Sequence, residues 1–129
     1  MNIGEAAHAS GISTKMIRYY EQIGLIPKAS RTGGGYRVYK NSEVDMLRFI
    51  KRARNLGFSM PEIGELLSLW QDQHRMSANV KQIAQAHILE LEQKIENMQD
   101  MLNTLQALVN SCAGDQQPDC PILADLEKP

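Results

Sequence analysis

The sequence predicts a mainly α-helical protein with a compact N-terminal part, one long helix and a short cysteine-bearing loop at the end. Two short amphipathic segments joined by a glycine turn stand at the start of the chain, and an unbroken four-and-three alternation of apolar residues covers 84–109. Two cysteines follow that alternation. We therefore expect three parts, at residues 1–75, 76–110 and 111–129.

The charge is divided between two regions of the chain. The net charge is -1, but residues 1–75 carry eleven Lys or Arg against seven Asp or Glu, whereas residues 76–129 carry three against eight. Ten of the basic residues lie within positions 15–54, where there are three acidic residues. A basic patch of this kind is typical of a protein that binds a polyphosphate, and a solvated surface of mixed charge is the alternative.

The composition also bears on the class of protein. No apolar run approaches about eighteen residues and no basic-then-apolar leader precedes the fold, so we expect a soluble, cytoplasmic protein without a membrane span or secretion signal. Two cysteines in such a chain indicate a reducing compartment and a chemical use of the thiols rather than a disulfide framework.

A pair of short helices is predicted at the N-terminus. Gly11 breaks the first helix, and Ser13 suits the N-cap of a second helix over residues 14–23. Two short helices joined by a tight turn are a helix-turn-helix signature, in which the second helix reads DNA. Long cationic and hydroxyl-bearing side chains reach phosphates and base edges, and those of the second helix are Lys15, Arg18 and Tyr19.

A hairpin, or wing, follows the second helix. The three glycines at 33–35 turn the backbone sharply, and the residues on either side suit short strands. Basic and aromatic side chains on a wing contact the DNA backbone beside the groove, and the candidates are Arg31, Tyr36 and Arg37. An exposed hairpin with incidental charges is the alternative.

A second pair of helices completes the N-terminal part. A third helix begins at residue 41 or 42 and ends at Gly57, and Arg54 near its end is a further candidate for contact with DNA. Ser59 and Glu62 form a capping-box pair that opens a fourth helix. A polar stretch over residues 71–76 then leads to the long helix.

The apolar alternation defines one face of the long helix, which we call the seam. At about 1.5 Å per residue this helix is roughly 50 Å long, too long to bury its seam against so small a chain. We therefore expect a homodimer that pairs the same helix from two copies. A single-chain hairpin is the alternative, but the chain after residue 111 is too short to fold back along the helix. The seam consists of Ala84, Ile88, Leu91, Ile95, Met98, Leu102, Leu105 and Val109.

The cysteine pair at the end of the long helix has the chemistry of a metal site. Cys112 and Cys120 supply two thiolates, which are soft ligands suited to Cu(I), and two ligands suffice for a linear monovalent ion. A zinc site ordinarily has four ligands, and the three histidines show no matching spacing. Asp115 and Asp119 keep a divalent ion open, and two free thiols or a disulfide are the remaining alternatives.

Three separated motifs give the chain a resemblance to a known family. Residues 16–21 read MIRYYE, residues 35–39 read GYRVY and residues 52–59 read RARNLGFS. These motifs occur in the order typical of the MerR family of transcription regulators, so the chain resembles that family over essentially its full length. The resemblance implies a winged helix-turn-helix domain, a second helical pair and a long antiparallel coiled-coil dimerisation helix.

The same resemblance implies a function. It implies a homodimer that binds double-stranded promoter DNA, acts with RNA polymerase at the promoter and distorts the DNA when an effector binds. By motif position, the DNA-contact role is carried over to Lys15, Arg18, Tyr19, Arg31, Tyr36, Arg37 and Arg54.

The cysteine loop is similar to that of the copper-responsive, CueR-like branch of this family. The similarity implies that Cys112 and Cys120 bind Cu(I), with Ag(I) or Au(I) as alternative effectors. Divalent-metal sensors of the family have a further cysteine at the start of the long helix, where this chain has Ser77. Ser77 is therefore a candidate for metal selectivity, and a plain N-cap is its alternative role.

Other classes of function compete with a regulator. A copper carrier that dimerises through the long helix would leave the basic segment without a use, and a purely architectural DNA protein would bind DNA equally with and without metal. The sequence shows no nucleophile paired with a base, no two-residue cysteine spacing and no phosphate loop, so we do not expect an enzyme.

Overall fold

The computed structural model describes all residues, 1–129, and the predicted mainly helical class is confirmed. The chain divides into two compact units, Met1–Ile83 and Ala84–Pro129. The elements in chain order are α1 (Ile3–Ser10), α2 (Thr14–Gln22), β1 (Ser30–Arg31), β2 (Arg37–Val38), α3 (Asn41–Asn55), α4 (Met60–Gln71), α5 (Ser77–Ser111) and α6 (Pro121–Leu126).

Local capping explains where the first two helices begin and end. Asn2 caps α1 through its Oδ1, which accepts the Glu5 N–H at 2.8 Å, and α1 ends at Gly11 with φ of +74°. The Ser13 Oγ accepts the Met16 N–H at 3.2 Å at the start of α2. The predicted helix-turn-helix and its Ser13 cap are therefore confirmed.

The predicted wing is present as a two-stranded antiparallel hairpin. Its register pairs Ser30 with Val38 and Arg31 with Arg37. The Thr32 N–H donates to the Tyr36 carbonyl at 2.8 Å, and Gly35 has φ of +85°, a conformation that favours glycine. The tight turn therefore leaves Tyr36 at the tip of the hairpin, 77% exposed.

One apolar core holds the first unit together, with α1 packed on α2 and α3 and α3 packed on α4. Trp70 lies at its edge, 41% exposed, and stacks on Phe49 with ring centroids 4.6 Å apart. The largest fully buried side chains are Ile17 and Tyr20 of α2, Ile26, Tyr39, Leu47 and Ile50 of α3, and Ile63 of α4.

The long helix α5 contains 35 residues, about 50 Å at 1.5 Å per residue. Six of the eight predicted seam residues are exposed in the chain, at between 48% for Leu102 and 66% for Ile95 and Met98. The predicted cap at Ser77 is wrong by one position, because Ser77 is the first helical residue and the Met76 carbonyl accepts the Asn79 N–H at 3.0 Å. None of the helices has the length and apolar character needed to cross a membrane.

The capping box predicted for α4 is also confirmed and makes a testable contribution to stability. The Ser59 Oγ accepts the Glu62 N–H at 3.3 Å, and the Glu62 carboxylate accepts the Ser59 N–H at 2.8 Å. We expect Ser59→Ala to lower the free energy of unfolding by about 1 kcal/mol, measured by chemical denaturation. The control is Ser68→Ala at an exposed position of the same helix. Equal losses in the two variants would contradict this account of the cap.

Candidate nucleic-acid interface and metal centre

Three of the predicted DNA-contact residues converge where α2 meets the wing. Arg18 of α2, Arg31 of β1 and Arg37 of β2 line one surface cavity of about 460 Å³. Lys28 joins them, and Glu21 is the acidic residue of this lining. We call these four cations the cationic cluster. Several positive charges around one concave surface attract an anion such as a DNA phosphate.

Tyr36 extends the cationic cluster along the wing. It lines a neighbouring cavity of about 400 Å³ together with Arg18, Arg31 and Arg37. The Arg31 Nη1 donates to the Gly35 carbonyl at 2.8 Å, which holds that side chain across the turn. The wing thus presents an exposed aromatic ring beside oriented guanidinium groups, an arrangement able to contact a sugar-phosphate backbone.

The remaining predicted DNA contacts lie elsewhere on the first unit. The Arg54 Nη1 donates to the Tyr20 hydroxyl at 2.7 Å, and Arg54 lines a separate cavity of about 260 Å³ with Lys51 and the α1–α2 turn. Lys15 and Tyr19 are exposed on α2 and line none of these three cavities. The structure therefore gathers Arg18, Arg31, Tyr36 and Arg37, and it leaves Lys15, Tyr19 and Arg54 outside that group.

Glu21 is a residue of this region to which the sequence gave no role. Only 6% of it is exposed, and its carboxylate accepts a short hydrogen bond from the Tyr39 hydroxyl and pairs with Arg37 at 3.6 Å. Burial and the hydrogen bond to Glu21 raise the pKa of Tyr39 above its ordinary value. Tyr39 therefore stays protonated and can act as the donor. The sequence signal was an acidic side chain within an otherwise basic stretch.

The two cysteines meet at the end of the second unit. Their sulfurs lie 3.9 Å apart, and both are free thiols of intermediate exposure. Cys112 follows α5 directly, and its N–H donates to the Val109 carbonyl at 3.1 Å. Cys120 is the N-cap residue of α6, and Gly114 turns the loop between them with φ of +64°. The fold of the loop therefore brings together the two sulfurs that are eight positions apart in sequence.

The surroundings of the pair favour a thiolate. Hydrogen bonds from the backbone of Leu123 and then Ile122 lower the pKa of the Cys120 thiol, with a smaller contribution from the Cys112 side chain. The Asp115 Oδ1 accepts the Gln117 N–H at 2.9 Å within the loop. No histidine, aspartate or glutamate lies close enough to the two sulfurs to complete a group of three donors. The site therefore offers two soft ligands.

The reading helix, the wing and the cationic cluster define a winged helix-turn-helix protein of the DNA-binding class. Two family models match the chain: residues 1–70 match the MerR HTH family regulatory protein model, and residues 44–108 match the MerR DNA-binding model. The chain belongs to the MerR family. The predicted family is confirmed, and because its members are transcription regulators the expectation that the chain is not an enzyme is confirmed too.

Individual relatives cover almost the whole chain. It is 56% identical to heavy metal-dependent transcription regulator 2 of Rhizobium meliloti, over 98% of this chain and 86% of the relative. It is 42% identical to the transcriptional regulator CueR of Escherichia coli O6:H1, over 98% and 93%. The solved structure of PbrR691 from Ralstonia metallidurans CH34 in complex with lead(II) has a TM-score of 0.83 at 29% identity, covering 98% of both chains.

Proposed function

We propose that this protein is a metal-responsive transcriptional activator that binds promoter DNA as a homodimer and is switched by Cu(I), or by Ag(I) or Au(I), at Cys112 and Cys120. The observation that carries the proposal is the 3.9 Å separation of the two sulfurs, with no third His, Asp or Glu donor beside them. A site limited to two thiolates suits a soft monovalent ion better than a harder divalent one.

The separation of the sulfurs fits an ion held by both. With metal–sulfur bonds of about 2.3 Å, a bent arrangement at a tetrahedral angle needs sulfurs about 3.8 Å apart and a straight one needs about 4.6 Å. The distance of 3.9 Å lies within that range, so small rotations of the cysteine side chains are sufficient. Binding an ion there would join the end of α5 to the start of α6.

The similar proteins support a metal effector but leave its identity to experiment. One relative is named as heavy metal-dependent, and the solved PbrR691 structure contains lead(II), a divalent ion. A sensor of a divalent soft metal is therefore the alternative, and Asp115 and Asp119 would be its extra ligands. In an antiparallel dimer, Ser77 of the partner subunit would lie near Cys112, where its weak hydroxyl ligand would disfavour a third bond to a soft ion.

The proposed DNA contacts use the groups already described. Arg18 would enter the groove from α2, while Arg31, Tyr36 and Arg37 would contact the backbone from the wing. Lys15, Tyr19 and Arg54 would extend the contact surface along α2 and α3. A non-DNA-binding copper carrier, the other alternative, would leave this cationic cluster unused.

Activation requires that the metal favours one of two protein conformations. Cys112 and Cys120 would hold the loop closed on the ion, and the dimer would then bend and untwist the promoter into a form that RNA polymerase can use. The thiols must lose their protons to bind the ion. The lowered pKa of Cys120 makes that loss easier near neutral pH.

Transcription in vitro, metal by metal, tests the proposal directly. We expect Cu(I), Ag(I) or Au(I) to raise transcription from the promoter nearest the gene, and Zn(II) to leave it at the basal level. Cys112→Ser and Cys120→Ser should abolish activation and leave promoter binding within about twofold, because neither residue lies in the DNA-binding unit. Ser111→Ala, which keeps both thiols, is the matched control. Copper activation that survives in either cysteine variant would reject the assignment.

A charge in the seam tests the dimer. Leu102 is 48% exposed in the single chain, and its burial against a second copy would contribute about 1.5–3 kcal/mol per side chain. We expect Leu102→Asp to convert the dimer to a monomer in analytical ultracentrifugation. Thr104→Asp adds the same charge in the same turn but away from the seam and should leave the dimer intact. A wild-type protein that sediments as a monomer contradicts pairing through α5.

An arginine on the reading helix tests the interface with DNA. We expect Arg18→Ala to weaken binding to a duplex selected by the wild-type protein from random sequences by about tenfold or more. Binding to a duplex of shuffled sequence should fall less. Lys94→Ala removes an exposed cation from α5 and serves as the control. Equal binding by Arg18→Ala and wild type on both duplexes would remove Arg18 from the interface.

A further inference from the structure

We propose that Glu21 is a positioning residue of the DNA interface, which holds Arg37 of the wing against the reading helix so that Arg37 meets a promoter phosphate in a fixed orientation. The inference rests on the proposed DNA-binding function and deepens it. It assigns a use to a buried acidic side chain inside a surface built to attract anions.

The carboxylate of Glu21 is fully engaged. Its Oε1 accepts the hydrogen bond from Tyr39, and its Oε2 lies 3.6 Å from the Arg37 Nε. Because Arg37 pairs through Nε, its two terminal nitrogens remain available to a phosphate. The Arg37 side chain is 30% exposed, so one end lies against Glu21 and the other reaches solvent.

The pattern of the strand explains why both partners face Glu21. Side chains two positions apart lie on the same face of a strand, which places Arg37 and Tyr39 together. Tyr39 is fixed from a second direction, because its N–H donates to the Met1 carbonyl at 2.7 Å and its carbonyl accepts from the Met1 amino group at 3.0 Å. Glu21 thus joins α2 to an anchored end of the wing.

The charges around Glu21 explain why a carboxylate is needed. The register of the hairpin sets Arg31 directly opposite Arg37, a like-charge pair that is destabilising. Arg18 and Lys28 line the same cavity. Without a negative charge, these cations would repel one another in the DNA-free protein and Arg37 would turn to solvent. Glu21 offsets that repulsion and keeps Arg37 in place before DNA arrives.

Positioning predicts a change in selectivity rather than in general affinity. A free Arg37 keeps its charge, so Glu21→Gln should bind shuffled DNA as well as wild type or better, since it removes a negative charge from the interface. It should bind the selected duplex about tenfold more weakly, because one directed phosphate contact is lost. The ratio of the two affinities therefore falls.

The experiment is a double-mutant cycle on the full-length protein. Affinities for a duplex selected by the wild type from random sequences and for its shuffled counterpart are measured for wild type, Glu21→Gln, Arg37→Ala and the double variant. If Glu21 acts through Arg37, the double variant has the selectivity of Arg37→Ala alone. Additive losses, or a parallel fall on both duplexes, overturn the inference.

Two controls separate positioning from plain stability. Glu43→Gln removes another buried carboxylate of the same unit, 9% exposed and without contact to Arg37, and should keep the wild-type selectivity. Hydrogen exchange of the Arg37 Nε proton in the wild-type protein needs no variant to fold, and it should be slower than that of Arg18. Exchange as fast as that of Arg18 overturns the inference. A wild type that selects no duplex refutes the proposed DNA binding instead, so the two failures are distinguishable.

Discussion

The apolar seam of α5 is the feature on which the other assignments depend. Large side chains such as Ile95 and Leu105 are more than half exposed in the single chain, and water does not tolerate a continuous apolar stripe without a partner. Pairing with a second copy removes that stripe from water and makes a two-fold symmetric molecule. A symmetric pair of reading helices then requires a DNA site with matching symmetry, so the long helix would set the spacing of the DNA half-sites.

Pairing also decides what the cysteine loop can do. Cys112 lies at the end of α5 and Cys120 at the start of α6, so an ion held by both would constrain the connection between those helices. In the metal-free chain a weak sulfur–sulfur hydrogen bond at 3.9 Å spans the same gap. Replacing that bond by two metal–thiolate bonds changes the free energy of one loop conformation far more than that of others. Such a difference is what an effector needs in order to shift a conformational equilibrium.

Local signals in the sequence predicted most of the fold. Ser13, Ser59 and Gly11 act through hydrogen bonds and backbone geometry within a few residues, so their roles could be recognised without a structure. The seam is a periodic pattern within one helix and was predicted for the same reason. Ser77 was misplaced by one position because a serine next to a helix start fits either the cap or the first turn. The direction of pairing came only from the resemblance to the MerR family.

The grouping of the DNA-contact residues could not be predicted in the same way. Arg18 and Arg37 belong to different elements, and only the packing of the wing on α2 decides that they share a cavity while Arg54 does not. The pairing of Glu21 with Arg37 depends on the same tertiary contact. An acidic residue in a basic segment is usually assigned to solvent, and its burial was visible only in the fold.

Glu21 illustrates a general conflict between affinity and selectivity in nucleic-acid binding. Each carboxylate placed near phosphates lowers the electrostatic affinity that all DNA sequences share. A carboxylate that fixes a cation in one orientation lowers that common term while preserving contacts made only when the backbone has the right path. Because a regulator must find few sites among many competing ones, the ratio of affinities matters more than their absolute size. Holding Arg37 in the DNA-free protein also means that less conformational entropy is lost on binding, so the cost of a buried charge is offset where it is selective.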